Sequence, residues 1–191
     1  MRTFLTFILT FITLINLFAQ NSKNDSIAVT KTTVNFFDWY IDAVKKGQTE
    51  EYSPIFIKSK NGMTTLNDSV YITNLKKYSF SDSLIYIERQ SYDNCRHNLG
   101  KIKFTTFESE IKDLDQFEKL ECDFNNYFRW VSGQEIVDGF TITNVNFIKN
   151  SAEITGQTFL LNNLKEKTNK GIIKITLIRH VKNWKIHRIE K

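Results

Sequence analysis

The sequence predicts an α+β domain in which an N-terminal helix and several shorter helices pack on an antiparallel sheet. Apolar residues recur at three and four early in the sequence, and the period changes to two beyond Gly139. The last four apolar runs are joined by short polar links, too short for crossovers, which favours a meander over alternating βαβ units.

The chain opens Met1-Arg2-Thr3 and runs apolar from Phe4 to Phe18, interrupted by Thr6, Thr10, Thr13 and Asn16. One positive charge followed by an apolar core is the build of a secretory signal. Ala19 supplies the small residue a signal peptidase needs, which places cleavage after Ala19 or Gln20. Residues 1–20 therefore read as a signal peptide, 21–26 as a flexible tether and 27–191 as one α+β domain. A retained membrane anchor is the competing reading, but a spanning helix wants about 20 apolar residues. This run is shorter and broken by threonines. A lipid anchor needs a cysteine at the cleavage point, and the two cysteines are Cys95 and Cys122. The expected location is outside the cytoplasm, periplasmic or secreted, with no membrane attachment after cleavage.

From about Ile27 to Lys46, Val29, Phe36, Phe37, Tyr40, Ile41 and Val44 form one apolar helical face. Lys45-Lys46-Gly47 ends it, with cations at the negative end of the helix and a residue free to turn left-handed. Tyr52 to Lys60 reads as extended around Pro54, and Asn61-Gly62 as a hairpin turn returning through Met63 to Leu66. Asn67 or Asp68 caps a short helix to about Lys77, and Ser79 or Ser81 caps another from Asp82 toward Cys95. Thr105 with Glu108 fits a capping box for a further helix before Cys122. Strands follow at Phe140 to Phe147, Ala152 to Leu160, Ile172 to Val181 and Trp184 to Ile189. The long N-terminal helix is the natural cover for their apolar face.

Two cysteines in an exported protein predict a Cys95–Cys122 disulfide, worth about 3 to 4 kcal/mol if it acts by restricting the unfolded state. A reactive thiol is the alternative; Arg96 and His97 flank Cys95, whereas Cys122 lies between Glu121 and Asp123, which disfavours its thiolate. The formal charge of +5 becomes +4 once Arg2 leaves with the signal, too small to argue for nucleic acid as a partner. Its distribution is uneven. Leu160 to Lys191 carries nine Lys or Arg against Glu166 and Glu190, while Phe107 to Asp138 carries nine Asp or Glu against Lys112, Lys119 and Arg129. Such polarity steers a charged partner or marks two solvated faces.

Phe36-Phe37-Asp38-Trp39-Tyr40-Ile41 resembles the aromatic opening of the exported bacterial proteins grouped as domain of unknown function 3828. Cys122-Asp123-Phe124-Asn125-Asn126-Tyr127-Phe128 resembles the C-D-x-D-x-F pattern in the middle of that family's sequences, and Asn183-Trp184-Lys185-Ile186-His187-Arg188-Ile189 its closing W-K-I-x-x-I strand. The resemblance implies a nuclear transport factor two-like, or cystatin-like, cone with helices on a curved antiparallel sheet. Asn125 stands where the family often has a second acid, which puts a charge pair there in doubt.

Folds of this shape host both binders and enzymes, so individual residues must decide between them. His180 and His187 are expected on the polar side of their strands, and His97 has no sequence-local ligand partner. Asp123-Phe124-Asn125 begins like a calcium loop, but Tyr127 and Phe128 break the pattern. No metal or cofactor is expected. Trp39, Tyr40, Asp123, Tyr127 and Trp130 are the candidate ligand-pocket residues, with core packing as the competing role for the aromatics. The expected function is a non-catalytic exported domain that binds a small ligand or a protein. The alternatives are an enzyme with Asp123 or Tyr40 as its pocket acid, and an inhibitor or immunity protein against a toxin.

Overall fold

A computed structural model describes the backbone of residues 2–122, 128–131 and 135–191, and the side chains of these from Lys23 onward. Helix α1 spans Arg2–Lys45. The six residues expected on its apolar face, Val29, Phe36, Phe37, Tyr40, Ile41 and Val44, are all buried. Beyond Lys45 the backbone turns back on itself. Gln48 N–H donates to Ala43 O and Gly47 N–H to Val44 O, both at 3.0 Å, with Gly47 at φ 65°. These two bonds close a Schellman motif on carbonyls the helix cannot satisfy itself. The side chains that argue for a signal peptide over residues 1–20 lie outside the described residues. Among the described residues, no helix is long and apolar enough to cross a membrane.

Helix α2 (Thr49–Tyr52) leads into the hairpin of β1 (Ile55–Lys58) and β2 (Thr64–Asn67), which turns at Asn61-Gly62 as expected. Helix α3 (Ser69–Lys77) starts where Asn67 Oδ1 accepts Ser69 N–H at 3.1 Å, while Asp68 turns to Arg89 and Arg96 instead. Helix α4 (Asp82–Gln90) is capped by Ser81, whose Oγ accepts Leu84 N–H at 3.3 Å. Helices α5 (Asp93–Leu99), α6 (Phe104–Glu110) and α7 (Leu114–Lys119) complete the layer. The capping box lies at Asp113 and Gln116, ahead of α7, rather than at Thr105 and Glu108. Thr105 lies inside α6, whose N-cap is Lys103, and the extended backbone at Ile111 separates the two helices.

Strands β3 (Gly139–Ile148), β4 (Ser151–Leu161), β5 (Lys167–His180) and β6 (Asn183–Glu190) form the expected antiparallel meander in sequence order. The protein is thus an α+β domain. β5 starts five residues ahead of Ile172, because Lys167, Thr168 and Asn169 pair with Leu161, Leu160 and Phe159. Exposed residues join a ladder through backbone groups alone, so their side chains leave no period to read. Register shifts at Ile142/Asn144, Gln157/Phe159 and Thr176/Leu177 break the ladders. Such irregularities bend strands and increase their twist.

Ala152, Ile154, Ile173, Ile175, Leu177, Trp184 and Ile186 supply the buried sheet face. α1 lies across it, with Phe37 stacked on Phe140 at 4.0 Å between ring centres. The Phe140 ring occupies the space a side chain at Gly156 would need. Both ends of this contact are tied electrostatically. Lys45 Nζ donates to Asp138 Oδ1 at 2.6 Å, and Leu161 N–H to Asp138 Oδ2 at 2.7 Å. The bond from Lys45, and then that from Leu161, hold the Asp138 carboxyl below its ordinary pKa. At the other end Asp25 pairs with Arg179 and accepts Trp184 Nε1–H at 3.2 Å. Residues 21–26, expected as a tether, lie within α1, and Asp25 ties this stretch to the sheet.

Candidate functional site

Cys95 and Cys122 form the predicted disulfide, with Cα atoms 4.8 Å apart. It joins the buried side of α5 to the segment just beyond α7. Of the candidate pocket residues, Asp123 and Tyr127 lie outside the described residues. Tyr40 and Trp130 are buried at 1% and 5% exposure and flank Phe36, at 6.0 and 6.2 Å between ring centres. Trp39 stands at the edge of this cluster, stacked on Tyr78 at 4.5 Å and donating from Nε1 to Glu51 Oε2 at 3.3 Å.

The tertiary structure reveals a charged centre behind these aromatics. Glu88 on α4 is 1% exposed. Its Oε1 accepts the hydroxyls of Tyr71 and Tyr92 at 2.8 and 2.5 Å. Arg129 Nε donates to Oε1 at 3.0 Å and to Oε2 at 2.9 Å, and its Nη2 also bonds Oε2. Trp130 Nε1 donates to the Tyr71 oxygen at 3.1 Å, which carries the network into the aromatic cluster. A buried carboxylate is tolerated when it is paired and hydrogen-bonded in this way.

Burial is the main cause raising Tyr71 and Tyr92 above the ordinary tyrosine pKa, with the Glu88 charge second. Burial raises Tyr40 as well, against backbone hydrogen bonds from Trp130 and Arg129. For Arg129 burial works the other way, but the hydrogen bond and charge of Glu88 outweigh it and raise the guanidinium. Lys191 Nζ donates to Phe128 O, and burial followed by the Arg129 charge lowers its pKa. The raised tyrosines keep their protons, and the raised guanidinium its charge, at neutral pH.

A second feature opens to solvent. A cleft of about 450 Å3 lies between α1, the α3–α4 turn and the β5–β6 turn. Lys31, Thr32 and Asn35 line it from α1, Lys77, Tyr78 and Ser79 from the end of α3 and the turn after it, and Lys182, Asn183 and Trp184 from the sheet. Lys31, Lys77 and Lys182 are exposed, and among the described residues no carboxylate lines the cleft. The turn from α3 is held to the sheet by Ile186 N–H to Ser79 O and Ser81 N–H to Ile186 O, both 2.8 Å. Trp184 forms a fixed wall: Asp25 takes its N–H, Arg179 lies over its ring at 5.1 Å, and Phe147 meets its edge at 5.9 Å.

Glu88 does leave a trace in the sequence. It follows Leu84 by four on the apolar face of α4, where a solvated acid has no place. The lysines leave none, since Lys31, Lys77 and Lys182 meet only through the tertiary fold. His180 is exposed, as its position predicts. His187 differs from a solvated histidine: it is half-buried, and its Nδ1 lies 3.2 Å from both Ser81 Oγ and Ser83 Oγ.

Fold and site together define an α+β domain with a sealed ionic centre and an open basic cleft. No protein-family model, no curated protein and no solved structure matches this protein.

Proposed function

We propose that this protein is an exported, non-catalytic domain that binds a small ligand, with the open cleft as its binding site. The observation that carries this reading is the state of Glu88. A carboxylate serving as general base needs a free lone pair within hydrogen-bond reach of substrate. Glu88 instead meets Arg129, Tyr71 and Tyr92 inside the core. The cleft has the opposite character, with polar groups lining a space of about 450 Å3 and, among the described residues, no acid. Small-molecule sites typically occupy about 300 to 1,000 Å3.

Export is part of the same proposal. It is supported by the apolar opening from Phe4 to Phe18 and by the Cys95–Cys122 disulfide, a bond that persists in oxidising compartments. The layout of helices over a bulged meander also supports a nuclear transport factor two-like cone and kinship with domain of unknown function 3828.

A broad esterase, isomerase and glycosidase screen of the protein is expected to yield no turnover. Activity abolished by Asp123→Asn in a folded protein would establish the enzyme instead. Mass spectrometry of the protein recovered from its native envelope is expected to find an N terminus at Gln20 or Asn21. A mature protein retaining Phe4 to Phe18 would refute export by cleavage.

A further inference from the structure

We infer that the cleft recognises a phosphate or sulfate group on a small molecule, with Lys31, Lys77 and Lys182 as the charge-bearing contacts. This rests on the binding-domain reading and names the ligand class of the same site.

The first support is an uncompensated charge. Among the described residues no carboxylate lies within 4.0 Å of any of these three ammonium groups. Several cations elsewhere are paired: Lys45 with Asp138, Lys170 with Glu135, Arg129 with Glu88 and Arg179 with Asp25. Like charges around one concavity repel each other, and low-dielectric walls concentrate their field on the space between them. An anion seated there removes the repulsion.

The second support is the kind of donor. Lysines bind phosphate as point charges that swing independently, without the planar fork that arginine offers to carboxylate and phosphate alike. Three lysines mounted on three separate elements suit an oxyanion whose oxygens diverge in three directions. Thr32, Asn35, Ser79 and Asn183 add neutral donors between them. Lys77 Nζ lies 5.2 Å from the Tyr78 ring centre, which keeps its stem along the wall.

The third support is the placement of the rim by two turns. Val181 takes φ 56° and Ser79 φ 67°, and each begins or ends a turn that presents cleft residues. A β-branched residue with positive φ is an outlier. Val181 is also 83% exposed, so burial of its side chain does not account for its presence in that turn. Its conformation directs the backbone so that Lys182 and Asn183 reach the cleft. Lys149 takes the same conformation in the β3–β4 turn, at φ 53°, so the positive φ belongs to the short hairpin, and at β5–β6 it sets where Lys182 stands.

The test is a nuclear magnetic resonance titration of the purified protein carrying labelled lysines. Pyrophosphate and a glucose phosphate represent phosphate. Inorganic sulfate and a sulfated glucosamine represent sulfate, citrate is the carboxylate control and maltose the neutral one. The expected result is saturable shifts at Lys31, Lys77 and Lys182 with phosphate or sulfate probes, weakened by added salt. The more tightly bound of the two classes identifies the source of the group. Each lysine changed to Gln should weaken binding by roughly fivefold, as one partly exposed charge contact does. Lys31→Gln/Lys77→Gln/Lys182→Gln should abolish the saturable shifts with an unchanged circular-dichroism spectrum, and the single variants stand in if the triple variant misfolds. Absence of shifts from every anion, tighter binding of citrate, or equal shifts at Lys165, Lys167 and Lys170 would overturn the assignment. Shifts from maltose alone would overturn it while leaving the binding-domain reading intact. Turnover of any probe would overturn that reading as well.

Discussion

Arg129 holds Glu88 through two nitrogens, with Nε 2.9 Å from Oε2 and 3.0 Å from Oε1, and so secures a carboxylate that is 1% exposed. The pair joins α4 to the segment that follows the disulfide. Removing one member of such a pair strands the other in the core. Arg129→Met is therefore expected to lose about 3 to 5 kcal/mol of stability in urea denaturation. Glu88→Leu/Arg129→Met should recover most of that loss, since replacing both charges with apolar groups removes the desolvation penalty. A loss below about 1 kcal/mol for Arg129→Met, the range of exposed pairs, would show that solvent reaches Glu88.

The tyrosines around this centre set the alkaline limit of the fold. Tyr40, Tyr71 and Tyr92 are raised mainly by burial, so the folded state keeps their protons when the unfolded state has lost them. Their contribution is fully present below about pH 10, the unfolded tyrosine pKa, and is lost as pH rises beyond it. Each should add about 1.4 kcal/mol of lost stability per pH unit in that window. Tyrosinate absorbance from these three should rise together with loss of circular dichroism. Titration of Tyr40, Tyr71 and Tyr92 in a folded protein would contradict this.

The Cys95–Cys122 bridge closes a separation of 27 residues that contains α6 and α7. Its loss releases a segment with few buried side chains of its own, since none in α7 is buried. Cys95→Ala/Cys122→Ala should lose about 2 to 4 kcal/mol. Thermal denaturation with and without reductant measures the same quantity on the native protein, and an unchanged midpoint would exclude a stabilising role.

Gly156 is required by a side chain on the neighbouring strand. A Cβ there would fall inside the Phe140 ring, which is itself clamped by Phe37 of α1. Gly156→Ala should cost about 1 to 3 kcal/mol as an overpacked core contact. Adding Phe140→Leu should remove part of the clash and the dependence on glycine. Equal stability of Gly156→Ala and the native protein would place the ring elsewhere.

Local periodicity carried most of the architecture. The spacing of Val29 through Val44 identified both α1 and its buried face, and alternation placed His180 on the polar side of β5, away from buried Ile173, Ile175 and Leu177. Asn61-Gly62 and the order of four linked strands specified the hairpin and the meander. These features were legible because helix and strand geometry convert sequence distance directly into direction. The first residues of β5 were not, because Lys167 to Asn169 pair only through backbone groups that every residue there carries. The anchoring of Asp25 to Arg179 escaped for a related reason: a polar tract reads the same whether or not a distant cation waits for it.

The candidate site divides along the same line. Residue order alone specified a helix, a meander, one candidate disulfide and an export-like opening, all of which depend on neighbours or on having just two cysteines. The tertiary fold assigned Glu88 its arginine and tyrosines, and gathered Lys31, Lys77 and Lys182 around one cleft. Charges act through space without regard to their order in the sequence, so no local spacing can encode which of them will meet.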